Sequence, residues 1–346
     1  MTEQTGAVRF CLSLLLLTVA MSACSSTQTA GRSVGSPSDD PPVAADAPHA
    51  ADSVGSAVTN TTPIGPSAIE DPLPSTAFND RVVPRVATSA QEAASLFAEV
   101  QAGLRAEDQQ SDVYGDLGHT EQLVIRQLVR NEEWIDPFRA ALSAEDLALA
   151  DLHLTARREL SLLHAHAGDP SPDIPAWTII EPEPLETLVG HYKRAGEASG
   201  VDWRVLAGIN LIETGMGRIL GLSSGGAQGP MQFLPTTWAE VSEGGDINDP
   251  SDAIDGAARY LVQRGGLDDI RQGLFGYNNS DNYVNAVLAY AALLELDERA
   301  IRGFYNWEVY VGTAAGTLWL PVGYLSPEPT PAIEYAEENP WALTLG

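Results

Sequence analysis

The sequence predicts a mainly α-helical protein, and three observations carry that prediction. Apolar residues recur at helical spacing through most of the chain after Ser89. Start and stop signals bracket several of those runs, such as Pro184 with Gly200 and Asp249-Pro250 with Gly265. The chain has only two cysteines, Cys11 and Cys24, both in its first segment. The folded part is therefore expected to have no disulfide and no thiolate metal site, and must rest on an apolar core. The 346 residues suffice for one sizeable core with extensions, or for two small domains.

Residues 1–23 read as an export signal. Arg9 precedes the apolar run from Phe10 to Met21, which is shorter than the ~20 residues a membrane-spanning helix needs and suits a signal-peptide core. Met21-Ser22-Ala23-Cys24 resembles a bacterial lipobox, which implies lipidation of Cys24 and attachment to a membrane. A plain secretory signal cleaved near Ala23 is the other reading. Residues 24–84 are rich in Ser, Thr, Ala, Pro, Gly and Asp, with few large apolar side chains. Such a segment buries too little surface to offset its ordering entropy, so a disordered tether is expected. About 60 flexible residues have a root-mean-square reach of roughly 40 Å, which suits a substrate standing away from a membrane.

Residues 85–179 are expected to form a helical pre-domain packed on the main unit. Ala94, Leu96, Phe97, Val100 and Leu104 fit one helix, and Leu123, Val124, Leu128 and Val129 a second. Ser143-Ala-Glu-Asp146 has the form of a capping box opening a third. Gly168 to Pro175 is a linker or turn. Pro184 then opens a helix that ends near Gly200, and Asp202 caps the next. Val205, Leu206, Ile209 and Ile212 form the apolar stripe of that helix, and Gly215 and Gly217 stop it.

Asp246-Ile-Asn-Asp-Pro-Ser-Asp252 is superficially like a calcium loop. Pro250 and Ser251 replace the expected ligand and glycine, and Ala257 stands where the bidentate Glu would be. Helix capping explains the stretch better, with Asp249 as N-cap, Pro250 at N1 and Asp252 in the first turn. A helix to Gly276-Tyr277-Asn278 and another from about Asp281 to Leu296 follow. Residues 299–346 are expected as a C-terminal extension, with a β-leaning aromatic stretch from Phe304 to Trp319 and a loose segment from Pro327 to Pro340.

Glu213 is the candidate catalytic residue. It sits at the edge of the apolar stripe near the end of its helix, and no other Asp or Glu occurs from 214 to 239, although the chain has 47 of them. Desolvation and the negative helix end both raise a carboxyl pKa, and a proton held near neutrality is what a general acid requires. The alternative is a Glu at a frayed helix end facing water. Net charge −28 and pI about 4.3 argue against nucleic acid, whose phosphates need a Lys/Arg surface. The six histidines form no HExxH motif, and His164 and His166 do not share a helix face, so structural or exposed roles are expected and no metal.

Four motifs stand in order. They are Glu213-Thr214, Gly226-Ala-Gln-Gly-Pro-Met-Gln232, Gly276-Tyr277-Asn278 and Tyr283-Val-Asn-Ala-Val-Leu-Ala-Tyr290. Together they resemble the lytic transglycosylases of peptidoglycan, most nearly the membrane-bound B type, over roughly 180–298. Pro230 replaces a family Leu, and Asn279-Ser280 replaces a closing Ala-Gly. The resemblance implies a goose-lysozyme-like helical catalytic domain at 180–298, acting on glycan strands without a cofactor. Glu213 would be the acid/base and Ser223 a hydroxyl near the sugar. Gln232 and Tyr277 would orient the N-acetyl group, Asn278 would support the site, and Met231 would be either core or substrate wall. The implied reaction cleaves the β-1,4 bond between N-acetylmuramic acid and N-acetylglucosamine and leaves a 1,6-anhydro end. A hydrolytic muramidase on the same fold and a non-catalytic wall-binding lipoprotein are the alternatives.

Overall fold

The structure, a computed structural model, describes residues 84, 86–106, 111–165 and 169–343. The expected signal segment, Cys24 and nearly all of the tether lie outside these residues, as does His166. The described residues are mainly helical, as expected. The N-terminal part contributes α1 (Ala90–Arg105), α2 (Ser111–Arg130), α3 (Ile135–Ala141) and α4 (Ala144–Ala165). Two short strands follow, β1 (Asp173–Ile174) and β2 (Thr178–Ile179), then α5 (Leu185–Ser199), α6 (Trp203–Thr214) and β3 (Ile219–Leu220). Next come α7 (Pro235–Val241), α8 (Pro250–Gln263), α9 (Ile270–Tyr277), α10 (Asp281–Leu296) and α11 (Ile301–Tyr305). The chain closes with β4 (Val309–Thr313), β5 (Gly316–Leu320), β6 (Thr330–Pro331) and α12 (Ala332–Glu338).

The caps fall where side-chain chemistry places them. Ser143 Oγ accepts from the Asp146 amide at 3.1 Å and donates to Asp146 Oδ2 at 2.8 Å, which starts α4. Asp249 Oδ1 accepts from the Asp252 amide at 3.0 Å, with Pro250 at the first helical position of α8. α5 ends at Gly200 in the left-handed conformation, φ 83°.

α10 is the hub of the main core. Its sequence is apolar nearly all round, the mark of a helix surrounded by protein, and it packs against α4, α6 and α9. Tyr283, Val284, Val287, Tyr290, Leu293 and Leu294 are all buried, each large apolar side chain contributing roughly 1.5–3 kcal/mol. Gly208 lets α6 come close. A Cβ there would lie 3.2 Å from the Val287 carbonyl oxygen, so a side chain would force α6 and α10 apart by a few tenths of an ångström.

One cluster of buried residues takes in side chains from both sides of residue 180, from Ala87 to Phe304. The boundary expected at 179/180 therefore does not separate two cores. The reason is that α4 lies along α10, so the N-terminal helices cover the same hub as α6. Buried Glu121 on α2 pins this junction, accepting from Gln101 Nε2 at 2.6 Å and from Trp307 Nε1 at 2.9 Å.

Residues 299–343 likewise differ from the expected extension. β4 and β5 form an antiparallel hairpin, β6 pairs with β1, and β2 pairs with β3. Val309, Val311, Leu318 and Leu320 pack with Ile174, Ile179 and Ile219 in a second cluster, so this part closes the fold. Phe304 and Tyr305 lie on α11 instead of a strand, because Phe304 packs edge-on against Tyr290 and His153, and tertiary contact overrides strand propensity. The segment expected to be loose contains β6 and α12, held by buried Ala332 and Ala336.

Candidate active site

α6 begins at Asp202, whose side chain accepts from the Arg204 amide, and ends at Gly215 with φ 61°. Met216 and Gly217 continue with positive φ, so the chain turns sharply away one residue after Thr214. Glu213 is thus fixed on the last turn of a rigid helix. It is only 3% exposed, which excludes a frayed carboxylate facing water. Burial pushes its carboxyl up to about 8, against the opposing pull of a hydrogen bond from Tyr283. The Tyr283 hydroxyl donates to Glu213 Oε1 at 2.8 Å. At neutral pH the group therefore holds a proton, and it can give one up and take one back.

The glycine-rich segment is tied to α6 by Thr214 of the first motif and by Asn210, which sequence reasoning did not single out. Thr214 Oγ1 donates to the Pro230 carbonyl at 2.6 Å, and Asn210 Nδ2 donates to the same oxygen at 2.8 Å. Asn210 Oδ1 in turn accepts from the buried Tyr192 hydroxyl at 2.5 Å. Thr214 Oγ1 also accepts from the Gly217 amide at 3.0 Å, capping the turn that leaves the helix. The Pro230 carbonyl oxygen can accept both bonds because it carries two lone pairs. Spacing gave a partial signal here, since Asn210 and Thr214 are four apart and share a helix face.

The loop itself is built on backbone geometry. Ser223 Oγ accepts from the Ala227 amide at 2.9 Å, and Ser223 and Ala227 exchange a backbone bond as well. Gly229 has φ 76°, and a Cβ there would meet the Ile247 carbonyl oxygen at 1.9 Å. The 246–249 turn therefore lies directly against this loop. Gln232 is buried with φ 49°, and its Nε2 donates to the Gly229 carbonyl at 2.9 Å. Its Oε1 is buried without a hydrogen-bond partner among the described residues, as is Asn278 Oδ1. Two orphaned acceptors in one candidate site are costly unless a ligand donates to them.

Tyr277 joins the loop to α10. Its hydroxyl donates to the Met231 carbonyl at 2.7 Å, and its ring stacks parallel to that of Tyr283 with centroids 6.4 Å apart. Glu213, Tyr283, Tyr277 and the Met231 backbone thus form one connected chain. Met231 needs a correction as a substrate-facing residue. Its side chain is fully buried in the main core, and only its carbonyl takes part, by holding Tyr277. Ser223 and Asn278 enter through the loop and the α9 C-cap, with no bond to Glu213 itself. Sequence reasoning missed Tyr283 as a site residue because an aromatic in the first turn of a buried helix reads as core, and its ring is indeed buried there.

Asp246 and Asp249 are the nearest acids in sequence after the bare stretch, apart from Glu240 and Glu243. Asp246 Oδ1 accepts from the Asn248 amide at 2.9 Å, and Asp249 Oδ1 from the Asp252 amide at 3.0 Å. Both are exposed and spend their side chains on turn and cap geometry. Among the described residues no group of three or more His, Cys, Asp or Glu is placed to hold a metal ion. No helix among them is long and apolar enough to cross a membrane. No protein-family model, curated protein or solved structure matches this chain.

Proposed function

We propose that the protein is a peptidoglycan lytic transglycosylase in which Glu213 serves first as acid and then as base. The observation that carries the proposal is the state of Glu213, a buried carboxyl raised to about 8 and held by Tyr283. Glycosidases that use water normally need a second carboxylate, to activate it or to act as nucleophile, and substrate-assisted enzymes are the exceptions. Asp246 and Asp249 are engaged in capping, which favours the exception.

In this reading Glu213 protonates the glycosidic oxygen while the N-acetyl carbonyl of the sugar closes on C1. The Glu213 carboxylate then draws the proton from the C6 hydroxyl as that oxygen attacks C1, leaving a 1,6-anhydromuramoyl end. The bond from Tyr283 favours the charged form, so it steadies the carboxylate between the two steps. Gln232 Oε1 and Asn278 Oδ1 are the acceptors available to sugar hydroxyl and amide donors. The helices around α10 would then form a goose-lysozyme-like catalytic domain with α1–α4 as its added layer. A lipid on Cys24 would hold the enzyme at a membrane facing the wall.

Digestion of isolated sacculi in heavy-oxygen water tests the reaction. The expected products are anhydro ends without label. Labelled reducing ends as the main product would replace the proposal with a muramidase. Binding without any cleavage would replace it with a wall-binding lipoprotein.

A further inference from the structure

A second feature lies on the other side of α6, away from the reaction just proposed. Behind Leu211 and Ile212 is a partly open pocket of about 40 Å³, bounded by α2, α4 and α10. That is room for about three water molecules or one small anion. Its walls combine apolar side chains, including Ile125, Leu160, Leu211 and Ile212, with two guanidinium groups, Arg126 and Arg157.

Arg126 is 6% exposed, and its guanidinium stacks over the Tyr310 ring at 4.4 Å. Among the described residues neither it nor Arg157 has a side-chain hydrogen bond or an ion pair. His164 Nε2, on the same wall, is buried and also lacks a hydrogen-bond partner there. Glu308 also lines the pocket, with its Oε2 accepting from Trp319 Nε1 at 3.2 Å, and nearby Glu121 is taken up by Gln101 and Trp307. Two guanidinium groups and one carboxylate therefore line the pocket. Burial and the mutual repulsion of the arginines push Arg126 well below its usual value, yet a guanidinium stays charged in proteins. Arg126 is buried and Arg157 half-buried, so an anion beside them offsets the cost of their desolvation, and the planar N–H fork of arginine fits a carboxylate.

We propose that this pocket is a binding site for a small monocarboxylate anion, with the carboxylate on Arg126 and Arg157 and a short alkyl group against Leu211 and Ile212. An acetate- or propionate-sized ligand matches the volume and the mixed walls. Bound there, it would link α2 and α4 to the helix that carries Glu213. The inference rests on the pocket alone and stands or falls independently of the glycan chemistry.

The test is calorimetric titration and thermal unfolding of the full chain with acetate and propionate, at an ionic strength held constant with gluconate, a carboxylate too large to enter. Saturable binding with Kd between about 0.1 and 10 mM is expected, as befits a ligand of a few heavy atoms. Tm should rise with acetate and reach a plateau, since the ligand binds only the folded state. Arg126→Met and Arg157→Met should each weaken acetate binding at least tenfold. Two separate variants guard against a folding defect in one of them. Equal responses to acetate and gluconate, binding of sulfate or phosphate but not of carboxylates, or acetate binding unchanged in both variants would each overturn the proposal, as would no binding at all.

Discussion

Replacing Glu213 by Gln separates the stability of this site from its chemistry. A carboxyl whose pKa rises from 4.5 to about 8 on folding binds its proton more tightly in the native state than in the unfolded one. Below pH 4.5 both states are protonated and nothing is lost. As pH rises through 4.5 the unfolded chain releases the proton and the folded one keeps it, so stability falls up to about pH 8 and is then flat. Each tenfold difference in proton affinity is worth ~1.4 kcal/mol, so the full loss is about 5 kcal/mol. Gln keeps the shape and can still accept from the Tyr283 hydroxyl, but it carries no titrating proton. Urea unfolding of both proteins at pH 4 and pH 8.5 should therefore show Glu213→Gln gaining several kcal/mol on wild type between the two values. Titrations shared by both proteins cancel in that difference. Cleavage of sacculi should fall by at least about a thousandfold, since acid and base roles rest on one group. A stability difference that does not change with pH would refute the buried, protonated carboxyl. Retention of more than about a tenth of the rate would remove Glu213 from the mechanism.

Two further expectations follow from named contacts and a third from the lipobox. Tyr283→Phe removes the bond that favours the ionised form of Glu213, so the alkaline limb of the cleavage profile should move to higher pH, with about 1 kcal/mol lost in stability. An unmoved limb would dissociate Tyr283 from the proton inventory. Gly229→Ala places a Cβ 1.9 Å from the Ile247 carbonyl at φ 76°, and should cost about 3 kcal/mol by urea unfolding while depressing cleavage; a neutral effect would mean that the loop does not rest on the 246–249 turn. Cys24→Ser should shift the protein from the membrane fraction to the soluble exported fraction, because firm anchoring needs attached lipid. Unchanged fractionation would leave the lipobox reading without support.

The local structure was legible wherever a side chain acts on its own backbone. Asp202, Asp249-Pro250, Ser143 and Gly200 mark helix ends through short-range capping, which depends on residues within three or four positions. The isolation of Glu213 was legible for the same reason, because its helix stripe and the glycines that end it are contiguous. Phe304, Tyr305 and the residues after Pro327 were not, since their conformation depends on the hub helix and the β1 edge, both distant in sequence.

Short-range patterns in the chain suffice for its mainly helical character, for the ends of most helices and for the isolation of one carboxylate. What surrounds that carboxylate follows from packing between segments distant in sequence. Tyr283 reaches Glu213 across 70 positions, and the Pro230 carbonyl reaches Asn210 across 20. Neither pairing leaves a periodic trace, because each is set by how α10 and the glycine-rich loop pack on α6. The same packing made one core of two expected domains and turned Met231 from a possible substrate wall into core. It also brought Arg126 and Arg157, from separate helices, to line a single pocket.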